Sequence, residues 1–272
     1  MLARGVVRSA EMGSISREEM VSIMCILMVI HQGVPAYPIV VAANRDEYYD
    51  RPTQGPCRLV QTPAVWGGRD ERAGGTWLGV NAHGLVIGLT NRRIREEQEN
   101  DPQRRSRGLL CLEALQCHTA AEAADFLASE PPERYNPFNL LMIDQCDLLW
   151  AAYEGKPAMQ RLEAGLHILA NGNVNDFETV RIRRARRLLQ HAAYPEWRHY
   201  FLLLEEVCRD HESGVKDRET ICMHRDKERY GTVSSTILAL TPGIAGSVYR
   251  YAAGHPCTTL YQDHSSLLTP AT

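Results

Sequence analysis

Asn44, Arg45, Asp46 and Glu47 stand in a row directly after the apolar run 39–43. An amide, a cation and two anions are more polar groups than a turn requires, and they close a segment that reads as core. Asn91 and Asn171 stand in the same way after the apolar runs 85–90 and 166–170. If these strand ends gather at one edge of a sheet, they surround the start of the first apolar run, where Cys25 lies. A thiol placed there would have amide donors for an oxyanion and charged groups to orient a reactant. Taken one at a time, each asparagine does no more than end its strand, as asparagine commonly does.

A cysteine nucleophile also needs a base, and the chain shows no Cys-His-Asn order. If Cys25 is the first residue, its own α-amine, with an ordinary pKa of about 7.7, can take the thiol proton. With residues 1–24 attached that nitrogen is an amide, and the chemistry is lost. Residues 1–23 show neither a helical nor a strand period and carry methionines at 1, 12 and 20. Glu18-Glu19 can be encoded by GAG-GAG, a purine-rich run like a bacterial ribosome-binding site a short way before Met24. The expectation is therefore translation from Met24, removal of that methionine before the small Cys25, and one domain over 25–272, with 1–24 as an extension. The plain alternative is an ordinary flexible N-terminal tail.

The chain's 272 residues suffice for one sizeable core. A net charge of −3 with scattered Lys and Arg argues against nucleic acid as the main partner. The eight cysteines are dispersed without a CxxC pair, which reads as reduced thiols and a cytoplasmic setting. No apolar run reaches the roughly 18 residues that a membrane span needs. Oligomeric state is not legible.

Short apolar runs bounded by Gly, Asn, Asp or Pro predict strands at 25–30, 39–44, 77–81, 85–91, 139–144, 148–154, 166–171 and 235–240. The segments 81–84 and 144–147 read as hairpin turns. Helices are predicted over 106–116, 119–129, 176–192 and 196–210, with a capping box from Thr119 to Glu122 and Asp176 as an N-cap. The helices fall in two blocks without strict βαβ alternation. That favours an α+β arrangement, largely antiparallel sheets with segregated helices.

Other candidate chemistry is weaker. The glycine-rich stretch 67–80 matches no phosphate loop and reads as turns before Trp77. Cys208, His211, Cys222 and His224 share a segment, but their spacing is unlike common zinc modules and Cys208 lies on an apolar helical face, so no metal site is expected. The basic run 181–187 reads as a solvated helix face, with one arginine able to turn toward a site.

The motifs "MCILMV", "VVAANRDEYYDRPT", "GGRDERAGGTWLGVNAHGLVIGLTN", "YGTVSSTILAL" and "PCTTLYQDHSSLL" resemble the NRDE family, that of transport and Golgi organisation protein 2, from Met24 onward. That resemblance implies a four-layer αββα sandwich of the N-terminal nucleophile hydrolase type, most similar to bile-salt hydrolase, penicillin acylase and acid ceramidase. It implies Cys25 as nucleophile, Arg45 as the strand-end arginine, Asn91 as an oxyanion donor and Asn171 as a second active-site asparagine. Arg181 or Arg184 matches a later arginine, and Asn44 and Glu47 would stand beside the substrate. Those enzymes place an aspartate three residues after the arginine. Here that position is Tyr48, which leaves Asp46 or Glu47 to orient the amine. The family also implies a second reading, a carrier of haem, acyl-CoA or lipid that binds in the same pocket without turnover. A third is a scaffold with a vestigial site. No cofactor is expected, and the ligand in the first two readings is a small acyl amide, acyl-CoA or haem.

Overall fold

The computed structural model describes residues 25–94, 100–190, 197–212 and 219–268, the side chains of 197–199 excepted. The expectations for residues 1–24 therefore lie outside the described residues, as do positions 191, 192 and 196 of the predicted helices. The chain begins with β1 (Ile26–Val34), β2 (Tyr37–Tyr48), β3 (Thr53–Val60), β4 (Val65–Asp70), β5 (Leu78–Asn81) and β6 (Val86–Asn91). Next come α1 (Arg107–Ala114), α2 (Ala120–Ser129), β7 (Phe138–Ile143), β8 (Leu148–Tyr153), β9 (Pro157–Arg161) and β10 (Gly165–Leu169). The helices α3 (Val180–Leu189) and α4 (Trp197–Cys208) lead into β11 (His224–Arg225), β12 (Tyr230–Leu240), β13 (Val248–Ala252) and β14 (Gln262–Asp263).

One sheet has the order β10-β1-β2-β12-β13-β14, with β11 also paired to β12, and the other is a meander from β3 to β9 in chain order. Neighbouring strands are antiparallel throughout, including the expected β5–β6 and β7–β8 hairpins. Strand alternation builds the layers. Leu27 and Val29 of β1, with Ile39, Val41 and Ala43 of β2, meet Trp66, Leu78 and Leu141 between the sheets. Ile26, Met28, Val40 and Ala42 point the opposite way, onto Ile182 and Ala185 of α3 and Leu204 of α4. The outer face of the second sheet packs Leu85, Ile87 and Leu140 on Leu110 of α1 and Ala123 of α2. The result is the expected four-layer αββα sandwich.

All eight predicted strands form, and the end of β2 corrects the sequence reading. Asn44 to Glu47 do not follow β2; they lie inside it. The strand continues because β12 runs alongside as far as Tyr230, opposite Tyr48, so the ladder satisfies the backbone whatever the side chains. A bulge at Val233, between the partners of Arg45 and Asp46, lies at that extension. The strands β3, β4 and β9 carry glycine, proline or exposed polar residues and gave no apolar signal, and β13 is a five-residue strand interrupted by Arg250. Thr119 caps α2 as expected, accepting from the Glu122 amide at 3.1 Å. Asp176 does not cap α3. Thr179 holds that position, and Asp176 instead accepts from the Glu178 amide and the Thr179 hydroxyl.

The start of α1 is pulled onto the turn before β5 by a glycine-to-glycine contact. The Thr76 amide donates to the Gly108 carbonyl at 3.0 Å, and a Cβ on Gly75 would stand 2.2 Å from the carbonyl carbon of Gly108. Backbone atoms cannot yield to that, so Gly75→Ala is expected to lose about 1–3 kcal/mol through overpacking. Urea denaturation of the variant checks this; a midpoint like that of the parent chain would contradict the close approach.

Candidate active site

The pleat that sorts the apolar residues of β2 also sorts its polar ones. Arg45 and Glu47 continue the face of Val41 and Ala43, between the sheets, whereas Asn44 and Asp46 continue the face of Ala42, toward the helices. Ile26 pairs with Asn44, which sets Cys25 at the Arg45 end of the ladder. The Cys25 thiol lies 3.8 Å from the backbone oxygen of Asp46, to which it donates a long, weak hydrogen bond.

On the inter-sheet side, the Arg45 guanidinium stacks over Trp77 at 4.3 Å and donates to Thr53 Oγ1 at 2.9 Å. Its nearest acid is Glu47 at 3.6 Å, which also lies 3.5 Å from Arg51, and Arg51 pairs with Asp70 at 2.6 Å. On the helix side, Asp46 accepts two hydrogen bonds at 2.9 Å from Arg181 on one oxygen and one at 2.5 Å from Thr232 on the other. Arg181 is fully buried and also donates to the carbonyl of Ile221. It is therefore not part of a solvated face, as the basic run had suggested.

These residues border a cavity of about 460 Å³ whose wall includes Cys25, Arg45, Asp46, Glu47, Trp77 and Asn91. No hydrogen bond among the described residues claims the side-chain amide of Asn91. Its backbone carbonyl accepts the Asn171 amide at 2.9 Å. Asn171 thus stands behind Asn91 rather than on the wall, where it fixes the strand end. The start of α1 adds Arg105 and Arg107 to the wall, and Arg72 and Arg104 complete an arginine excess over the carboxylates present. Arg107 donates to the Pro137 carbonyl at 2.9 Å and has no carboxylate within ion-pair distance among the described residues. Burial pulls its guanidinium down to about 10, opposed by the nearby Glu47 and Cys25. A cavity with a cation left over in this way is suited to an anionic group.

Burial, aided by the Asp46 charge, pushes the Cys25 thiol up to about 12, while Arg45 pulls it down. At neutral pH the thiol therefore stays protonated unless a base removes the proton. Burial likewise raises the Asp46 carboxyl to about 6, opposed by Arg181 and Thr232. It is largely ionised above that pH.

Two residues expected beside the substrate lie elsewhere. Asn44 donates to the carbonyls of Cys208 and Ile221, both at 2.9 Å, because its position in the pleat faces α4. Arg184 sits on the far side of α3 and pairs with Asp210 at 2.6 Å and Glu212 at 3.0 Å. Conversely, Trp77 and Arg107 were not singled out in the sequence. The first follows a stretch read as turns, and the second opens what looked like an ordinary helix; the Gly75–Gly108 contact and the Arg107 bond to the Pro137 carbonyl hold the α1 terminus at the cavity.

A family model described as Transport and Golgi organisation 2 matches residues 24–245. The chain belongs to that family. It is 33% identical over 128 residues to the mouse Transport and Golgi organization 2 homolog and 32% identical over 137 residues to the human one. Each alignment covers 44% of this chain and 45% of the relative, so the chain spans less than half the length of the curated relatives it matches. Among solved structures, an N-acylethanolamine-hydrolyzing acid amidase ortholog from Caenorhabditis elegans superposes with a TM-score of 0.57 at 13% identity, over 88% of this chain and 99% of that one. Penicillin V acylase from Agrobacterium tumefaciens gives 0.55 at 14% identity, covering 91% and 89% of the two chains. A variant of conjugated bile acid hydrolase from Clostridium perfringens gives 0.56 at 11%, covering 89% and 93%. These likenesses establish the N-terminal nucleophile hydrolase fold. No helix among the described residues is long and apolar enough to cross a membrane.

Removing one member of a buried ion pair leaves the other uncompensated. Arg181→Leu is expected to destabilise the fold by about 3–5 kcal/mol at mildly alkaline pH. The Asp46 carboxyl is already raised from 3.8 to about 6 and would rise further without Arg181. Its protonated form is the one the fold favours, so the loss should shrink as the pH falls from the variant's still higher value toward about 6, and change no further below that, where the parent carboxyl is protonated too. Urea midpoints of parent and variant across that range test this; a deficit independent of pH would contradict it.

Proposed function

We propose that the chain, once Cys25 carries a free α-amine, is a cysteine amidohydrolase that cleaves an acyl amide or thioester bearing an anionic group. The observation that carries this reading is the placement of Cys25 at the start of β1, on the wall of an arginine-rich cavity with Arg45 and the uncommitted amide of Asn91. The family membership and the fold shared with amide-cleaving enzymes support it.

In this mechanism the α-amine accepts the thiol proton as sulfur attacks the substrate carbonyl carbon. The carbonyl oxygen gains the negative charge, and the Asn91 amide donates to it. Collapse of the tetrahedral intermediate expels the amine or thiol, which takes the proton from the α-ammonium and leaves a Cys25 thioester. Water then attacks that thioester, giving its proton to the α-amine, and the acid departs as the thiol is restored. Arg45, held by Trp77, Thr53 and Glu47, supports the thiolate and an anionic substrate group. Asp46 is tied to Arg181 and Thr232 on the helix side, whereas Glu47, though it accepts the Tyr48 amide and lies near Arg45 and Arg51, faces the space between the sheets; its side of the strand makes it the acid assigned to orient the amine.

The carrier reading draws on the arginine excess and on a thiol that burial keeps protonated. A haem propionate or an acyl-CoA phosphate would then be held by Arg45 and Arg107 without turnover. The two readings separate with a chain that begins at Cys25, assayed against penicillin V, conjugated bile acids and acyl-CoA thioesters, with neutral N-acylethanolamines as the comparison that lacks the anionic group. The hydrolase reading expects turnover that Cys25→Ala abolishes and that Asn91→Ala lowers by about 10²–10³-fold in kcat. Saturable haem or acyl-CoA binding, lost in Arg45→Ala but retained in Cys25→Ala, with no product from any of these substrates, would replace it by the carrier.

The state of the thiol gives a second test. With residues 1–24 attached, alkylation of Cys25 should keep rising with pH past the ordinary thiol range of about 8.5, because the group titrates near 12. Freeing the α-amine should accelerate alkylation at neutral pH. Peptide-level mass spectrometry reads both rates, and an unchanged rate would count against the amine as base.

A further inference from the structure

Four metal-ligating side chains from three separate segments converge outside the cavity wall. His211 follows α4, Cys222 and His224 flank the start of β11, and Cys257 lies in the loop after β13; their ligand atoms all fall within 4.8 Å of one another. The sequence had grouped Cys208 with the first three, but Cys208 is the last residue of α4 and its side chain is buried in the core. Cys257 takes the fourth place, from a part of the chain that no local spacing rule would connect.

The two distances from His224 to the cysteines are those of a coordination shell. Nε2 of His224 lies 3.6 Å from Cys222 Sγ and 3.3 Å from Cys257 Sγ. Ligands about 2.0–2.3 Å from a tetrahedral zinc lie roughly 3.3–3.8 Å from each other. Hydrogen bonding alone accounts for the geometry poorly. A neutral imidazole nitrogen has one lone pair, so two thiols cannot both donate to it, and a protonated nitrogen would face two weak sulfur acceptors. His211 is oriented by a contact of 3.1 Å between Nδ1 and the Cys222 carbonyl oxygen. With Nδ1 donating there, Nε2 keeps its lone pair, the outer-shell arrangement common to metal-bound histidines.

We propose that His211, Cys222, His224 and Cys257 form a structural zinc site that clips the end of α4 and the loop after β13 to the β11–β12 hairpin. Two thiolates and two imidazoles at tetrahedral spacing select zinc over hard cations. Four protein ligands leave no open position, so the role is structural rather than catalytic. Binding releases the two thiol protons to solvent and changes no oxidation state. The clip lies next to the support of the cavity. The carbonyl of Ile221, one residue before Cys222, accepts from both Arg181 and Asn44, and the Met223 amide donates to the Thr232 hydroxyl that in turn donates to Asp46.

The test is elemental analysis of the full chain purified from zinc-supplemented medium, which should show one zinc per chain. Cys222→Ser and Cys257→Ser should each reduce this to background, while Cys146→Ser, an exposed thiol outside the cluster, should leave it unchanged. His211→Ala removes a solvent-exposed ligand and should leave the fold intact, yet release zinc to a chelator that the parent chain withstands. Cobalt substitution should give the visible bands of a tetrahedral ion and a thiolate charge-transfer band, both lost in the cysteine variants. A parent chain that takes up no zinc, cysteine variants that retain it, or a Cys222–Cys257 disulfide in the freshly purified protein would overturn the proposal.

Discussion

Asp46 and Arg181 form a buried ion pair on which the geometry around Cys25 depends. Taking either charge out of water alone costs several kcal/mol, so each is held where the other compensates it. Arg181 comes from α3, Asp46 from β2, and the pair is closed by Thr232 of β12 and the carbonyl of Ile221. The helix layer is thereby registered against the sheet at the point where the thiol rests near the backbone oxygen of Asp46. The same pair accounts for the chemistry that is missing there. An aspartate whose two oxygens are both engaged by Arg181 and Thr232 offers neither of them to the thiol, and its charge helps to keep the neighbouring thiol protonated.

The four polar residues of β2 form one device with two faces. Because the strand continues through them, the pleat sends Arg45 and Glu47 into the space between the sheets and Asn44 and Asp46 into the helix layer. One pair shapes a cavity and the other ties down the strand that carries it. The bulge at Val233 falls where the β12 side of this segment must keep pace with both demands. A glycine-mediated approach, Gly75 against Gly108, brings the cationic start of α1 to the cavity wall.

Much of this was legible in the sequence. The short apolar runs and two helical blocks gave antiparallel sheets with segregated helices, the family resemblance added the four-layer αββα order, and polar residues at strand ends pointed to Cys25, Arg45 and Asn91 on one cavity wall. What stayed hidden depended on pairing partners distant in the chain. Nothing near Asn44 announces that β12 carries β2 four residues further, so its turn away from the cavity could not be read. Arg181 and Arg184 look alike in a basic run, yet three positions on a helix separate a buried counter-ion from a surface pair with Asp210. Cys257 joined His211, Cys222 and His224 only through the path of β13.

The central claim is that Cys25 attacks a carbonyl when its own amine is free. Intact-mass spectrometry of a chain beginning at Cys25, quenched in acid within the first turnovers on an acyl amide, addresses it most directly. The account predicts a transient mass increase equal to the acyl group, confined to the N-terminal peptide and absent when residues precede Cys25. Product formed without that adduct, or at the same rate with the preceding residues attached, would contradict it.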